Sequence, residues 1–284
     1  MGAQKLVTVV RSGLGWELRC IREQQRQLTL DPVCEQLRWP LSKLSRMETG
    51  KQCISEVDLG ALLAIYQVHG QERQRLLRLV QRQDDPGRWE TSLPDEPGSK
   101  TFFRLEPEAS ALVTAELVLV PGLAQTADYA RAGMEAAHMS PDQIEARVPE
   151  RIERKKILTR QKPPKLDMIV EETALRRVVG SHKVMAAQLR ALLELAELPN
   201  VRLWVVPVAR SARAGFTEPF YLMEFNSGTG PVVYLEGAIS VVFLEELDKV
   251  ELYRRHASRL AKAALNPVES ANFVAAIRRE HERE

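Results

Sequence analysis

Residues 28–50, LTLDPVCEQLRWPLSKLSRMETG, constrain this chain more than any other stretch: two short helical segments are separated by a tight turn, and the second closes on Gly50. At 100° per residue, Leu41, Leu44 and Met47 of the second segment share one side, while Ser42, Lys43, Ser45 and Arg46 cluster opposite. The apolar side needs a core. The outer face fits either a solvated surface helix or a helix laid against a phosphate-lined groove.

The neighbouring segments supply that core. A helix from Leu14 to about Gln25 carries Leu14, Leu18 and Ile21 on one stripe, followed by Leu28. Thr29 is placed to start the next helix, with Asp31 and Pro32 in the first turn, where an acid and a proline are both tolerated. That helix turns Val33, Cys34 and Leu37 inward. After Gly50, Ser55 opens a helix whose Leu59, Leu62, Leu63 and Tyr66 close the bundle. The expectation is an all-helical unit of about five helices ending near Gln83.

The run Ser42-Lys43-Leu44-Ser45-Arg46-Met47-Glu48-Thr49-Gly50, preceded by Leu28-Thr29 and Leu37, resembles the Cro/repressor-type helix-turn-helix family. Val120-Pro121-Gly122-Leu123-Ala124-Gln125-Thr126, Pro199-Asn200-Val201 and Val232-Val233-Tyr234-Leu235-Glu236-Gly237 resemble the C-terminal domain of actinobacterial regulators of the WhiJ-like, antitoxin-like group. The resemblance implies a recognition helix from about Leu41 to Glu48, with Ser42, Lys43, Ser45 and Arg46 facing DNA and Thr29 near its backbone. Arg46 suits a bidentate contact to guanine or phosphate, and Lys43 acts as a point charge. Glu48 matches the family's buried acid, with Arg22 as its partner in a structural ion pair.

Three departures from the family pattern stand out. Leu30 occupies a place where a DNA-bonding glutamine is common. Arg38 replaces the turn glycine, at a strain of about 1 kcal/mol if its φ is positive, and either reaches a phosphate or adopts another turn. The segment Gln24-Gln25-Arg26-Gln27 is one residue longer than usual.

Composition narrows the function classes. At 284 residues the chain exceeds one efficient core. Its net charge of +2 is too small for an indiscriminate polyanion binder, but residues 1–51 carry nine Lys/Arg against five Asp/Glu. No apolar run approaches the roughly 20 residues that span a bilayer, and no signal-peptide pattern opens the chain, so the expected location is cytoplasmic, without membrane association. Cys20, Cys34 and Cys53 lack zinc-site spacing, and read as packing residues or, for Cys53, a loop thiol.

The expected fold class is an N-terminal all-α helix-turn-helix bundle, residues 1–83, followed by an α+β domain with a largely antiparallel sheet, residues 102–284. The breaker- and acid-rich segment 84–101 reads as the linker, with Trp89 anchoring it. Beyond it, helices are expected at Pro107–Ala115 and Pro141–Thr159, the latter bearing the basic run Arg151, Arg154, Lys155, Lys156. That run reads as a solvated face or an accessory phosphate surface. Further helices are expected at Ser181–Glu197, Glu246–Ala264 and Pro267–Glu280. Strands are expected at Lys165–Val170, added at one side of the sheet, and at Val201–Val206, Phe220–Phe225, Val232–Leu235 and Val241–Leu244.

No catalytic constellation is present: the five histidines are scattered, no Walker A, GxGxxG or GxSxG occurs, and Gly228-Thr229-Gly230 reads as turn chemistry. A hydrolase or transferase is not expected, and no cofactor. The second domain exceeds what a simple repressor needs. It is expected to support a homodimer on double-stranded DNA and to bind an effector or, as the resemblance implies, a small acidic partner protein encoded nearby. The alternatives are an antitoxin-like protein-interaction module or a small-molecule sensor, with Trp204, Tyr221, Tyr234 and Phe243 either lining a pocket or packing inside the sheet.

Overall fold

The computed structural model describes residues 9–83, 88–92, 97–226, 230–237 and 240–284, and it divides into two compact units. The first spans residues 1–102 with 225–232 and 237–247; the second comprises 103–224, 233–236 and 248–284.

Five helices build the start of the first unit: α1 (Val9–Cys20), α2 (Leu30–Leu37), α3 (Leu41–Glu48), α4 (Glu56–Ile65) and α5 (Gly70–Arg82). Their inner faces meet in one core of Leu14, Leu18, Ile21, Val33, Cys34, Leu44, Met47, Leu59, Leu62, Leu63, Tyr66 and Leu76. Ser55 caps α4 by accepting the Asp58 N–H. Gly15 lets α1 approach α3 so closely that a Cβ there would collide with the Met47 and Glu48 carbonyl oxygens.

Where a single helix was expected from Leu14 to Gln25, α1 ends at Cys20 and a π-helical turn, Ile21–Gln25, follows. Such a turn houses one residue more than an α-turn. The added residue read in Gln24–Gln27 is taken up here and at Gln27, which has φ 53.

The remaining elements are β1 (Arg88–Ser92), α6 (Pro97–Glu108), β2 (Ala111–Glu116), α7 (Ala127–Ala136), α8 (Pro141–Glu153), β3 (Lys165–Glu171), α9 (Glu172–Arg176), α10 (His182–Ala196), β4 (Val201–Val206), α11 (Val208–Ala214), β5 (Phe220–Glu224), β6 (Val232–Glu236), β7 (Ser240–Leu244), α12 (Leu247–Ala263) and α13 (Pro267–His281). The helical bundle is thus followed by helices and a mixed, mostly antiparallel sheet. In the first unit β1 and β7 pair antiparallel, Trp89 opposite Phe243, so part of the segment read as linker is a strand. The side chain of Trp89 and most of the Gly228-Thr229-Gly230 turn lie outside the described residues.

In the second unit the strand order is β6-β5-β2-β3-β4. β2 runs antiparallel to β5, Thr114 opposite Tyr221, and parallel to β3, Thr114 opposite Met168; β3 and β4 are parallel too. Two sequence expectations change. The helix placed at Pro107–Ala115 is instead the end of α6 and then β2: flanking strands on both sides hold ALVTAE extended against its Ala/Leu/Glu helix preference. The Lys165 strand is not at a side but between β2 and β4.

Buried polar side chains join these layers. Gln188, fully enclosed, accepts from Thr126 N–H at 2.7 Å and donates to Ala124 O at 2.8 Å. Ser270 of α13 accepts from Val205 N–H at 2.9 Å and donates to Leu265 O at 3.0 Å. Asn266 and Glu269 form a capping box that starts α13.

Candidate nucleic-acid interface

Helix α2 begins where Thr29 places it, but the exposed Thr29 hydroxyl makes no capping hydrogen bond. It is left facing solvent. At the other end Arg38 adopts φ 55 and ψ 42, the left-handed geometry in which glycine is cheapest. Arg38 N–H donates to Glu35 O at 3.1 Å and Trp39 N–H to Cys34 O at 2.8 Å, closing the carbonyl end of α2. The exposed Arg38 side chain points away from the core.

Pro40 opens α3 with an extended backbone, and Gly50, at φ 70, turns the chain out of it. Trp39 and Leu44 stand before and after the cap as a hydrophobic staple, both packed on the core. Ser42, Ser45 and Arg46 are exposed together, and Thr49 donates back to Ser45 O at 2.8 Å. Arg46 Nε donates to Gln52 Oε1 at 3.1 Å. Among the described residues its two terminal nitrogens carry no hydrogen bond, so they remain available to a bidentate acceptor.

Two residues of this helix sit differently from the sequence reading. Lys43 is half-buried: its Nζ bonds Asp58 Oδ1 at 2.8 Å and lies 3.8 Å from the Trp39 ring centroid. The cation is latched onto the protein's own surface. Leu41, read as an inward residue, is 46% exposed, whereas Leu44 and Met47 are wholly enclosed. At the first helical position its Cβ points back toward the open N-terminus, and Trp39 already fills the adjacent core.

Behind α3 lies the ion pair. Arg22, in the π-helical turn, donates from Nε to Glu48 Oε1 at 2.7 Å and from Nη2 to Glu48 Oε2 at 2.8 Å. The side chains are 3% and 4% exposed. A further bond from Arg22 Nη1 to Leu28 O at 2.8 Å ties the α1–α2 connection to the base of α3. The fork-on-fork geometry satisfies both groups. Glu48 and its hydrogen bonds hold the Arg22 proton still more firmly than usual.

The basic run of the second unit is not a solvated face. Arg154 turns inward and grips the fully buried Glu106 at 2.7 and 2.8 Å, and Tyr221 donates its hydroxyl to the same carboxylate at 2.7 Å. Arg151 donates to Gln125 Oε1 at 2.9 Å. Of the four, only Lys156 is exposed. A positive run spaced three and four apart looks amphipathic from sequence, and its buried acid lies 48 residues upstream. Glu116, held by Thr114 Oγ1 at 3.2 Å, has its carboxyl pushed up to about 8 by burial. Tyr221, Tyr234 and Phe243 are buried, and Trp204 is half-buried, donating Nε1–H to Asp167 at 3.1 Å.

Among the described residues no three His, Cys, Asp or Glu side chains gather as a metal site, and no helix is long and apolar enough to cross a membrane.

Residues 13–76 match the model of a helix-turn-helix domain. Residues 99–276 match a domain of unknown function, DUF5753. No curated protein matches the chain. The first match covers α2, the turn and α3, which carries the exposed strip Ser42, Ser45 and Arg46; the second covers well over half of the 284 residues. The chain therefore belongs to the DUF5753 family and carries a helix-turn-helix domain ahead of that module.

Proposed function

We propose that the protein is a sequence-specific DNA-binding regulator of transcription, with α3 as its recognition helix and no enzymatic role. The observation that carries this reading is the outward strip Ser42, Ser45 and Arg46, unengaged by the core and held on a bundle braced by Arg22 and Glu48. Thr29 and Arg38, exposed at the two ends of α2, are assigned to the phosphate backbone, which positions the helix, while Ser42, Ser45 and Arg46 meet base edges. Lys43 serves DNA only after release from Asp58, or indirectly by fixing α3.

The functional division follows the sequence: residues 1–83 for DNA, 84–101 as connection, 102–284 for dimerisation and for a small acidic partner protein or an effector. Two copies would set two recognition helices about 34 Å apart on successive major-groove faces. Membership of the Cro/repressor-type and WhiJ-like, antitoxin-like actinobacterial groups, and a cytoplasmic location, belong to this same proposal.

The test starts from duplexes selected out of a random library by the full-length protein. Arg46→Ala should weaken the selected duplex by about 1–3 kcal/mol while the circular dichroism spectrum is unchanged. Failure of any duplex to be retained at moderate salt would end the reading.

A further inference from the structure

We propose that Leu41 reads the 5-methyl group of a thymine, and so supplies the A·T discrimination of α3; this deepens the assignment of α3 as the recognition helix and rests on it. Leu41 is the one large apolar side chain that α3 leaves open to solvent, at 46% exposure against none for Leu44 and Met47. It stands outside the core cluster that Leu44 and Met47 join. The apolar closure at this end of the helix is made by Trp39 and Leu44 around Pro40, and the N-terminal cap at Pro40 makes no side-chain hydrogen bond.

Its place is also the right one. The N-terminal residues of a recognition helix approach base edges most closely, and Leu41 is the first residue of α3, beside the exposed Ser42 and one turn before the exposed Ser45. The chemistry of its neighbours leaves a gap that a leucine fills. Serine hydroxyls donate or accept and so pair with any base, and arginine selects guanine. An adenine would be read by Asn or Gln, and the outward residues of α3 include neither. An A·T pair can still be distinguished from its thymine side, through the methyl group in the major groove, by an apolar contact. Lys43 is latched by Asp58 and Trp39 instead of standing free beside Leu41.

Replacing thymine by deoxyuridine removes this methyl and nothing else. Each thymine of the selected duplex is exchanged in turn, and binding is measured for wild type, Leu41→Ala and Leu41→Ile. For wild type, deoxyuridine at one position of each half-site should weaken binding roughly threefold to fivefold, the worth of burying one methyl group. Leu41→Ala should bind both duplexes equally, and Leu41→Ile should restore the preference. Since the side chain is exposed, unchanged circular dichroism is expected for both variants. Wild type indifferent to every exchange, or Leu41→Ala retaining the full sensitivity, overturns the inference while leaving DNA binding intact. If no duplex is selected at all, the recognition-helix reading fails first, and this inference with it.

Discussion

Removing Glu48 alone should strongly destabilise the helix-turn-helix scaffold, whereas removing it together with Arg22 should not. Glu48→Ala leaves a guanidinium that is 3% exposed without the carboxylate that takes up its Nε and Nη2. Only Leu28 O and the partly exposed Glu23 remain to it. Breaking a buried pair on one side costs about 3–5 kcal/mol, because the surviving charge stays enclosed, while exchanging both partners for apolar side chains is commonly neutral or stabilising. Against a domain stability of about 5–15 kcal/mol, that single loss is severe. The double variant Arg22→Met/Glu48→Leu should therefore recover most of it. Because the chain has two units, unfolding is best followed locally, by native-state hydrogen exchange of amides in α2 and α3 within the full-length protein. Glu48→Ala should lower their opening free energy by about 3–5 kcal/mol, and the double variant should return it to within about 1.5 kcal/mol of wild type. A double variant as destabilised as Glu48→Ala, or more so, would refute the argument, since the pair would then carry no mutual dependence.

Three further outcomes follow from other contacts. Arg38→Gly should relieve left-handed strain and stabilise the bundle by up to about 1 kcal/mol in urea denaturation, yet weaken binding to the selected duplex; a variant unchanged in stability would mean that the turn is not strained as its φ of 55 implies. Asp58→Asn should release Lys43, and the salt dependence of DNA binding should steepen by about one unit of log K per log salt; an unaltered slope would show that Lys43 stays on Trp39. In the second unit, burial raises the Glu116 carboxyl from 4.5 to about 8, so the unfolded chain sheds this proton first as pH rises. Its contribution is full below pH 4.5 and is lost as pH climbs to about 8. Glu116→Gln should flatten that part of the profile relative to wild type, and parallel profiles would contradict the raised value.

The parts of the fold legible in the sequence are those that local signals encode. The α2–turn–α3 unit announces itself through Thr29, Pro32 and Gly50, residues whose backbone preferences act within a turn or two. The strands from β3 to β7 stand close to their expected bounds because β-branched and aromatic runs flanked by turn residues leave few alternatives. Legibility fails where distant contacts decide. ALVTAE becomes β2 because β3 and β5 flank it. Arg154 folds inward because Glu106, far upstream, waits there. Leu41 follows the apolar period but sits at a helix end, where periodicity carries no information about which positions the bundle still covers. The Arg22–Glu48 pair was legible only through family resemblance, since nothing in the spacing of two charges 26 residues apart requires them to meet.

The wide turn at Ile21–Gln25 sets a register for everything after it. Angular phase along a helix advances by about 100° with each residue, so deleting Gln24 would convert the turn to ordinary α-geometry and swing the chain downstream by that angle. Arg26, whose guanidinium clasps the Tyr66 and Gln67 carbonyls, would then leave the end of α4, and Leu28 would be drawn off its docking site on the bundle. A chain one residue shorter here should thus misplace α2 and α3 together, however intact their own sequences: the slack in this loop works as an alignment gauge.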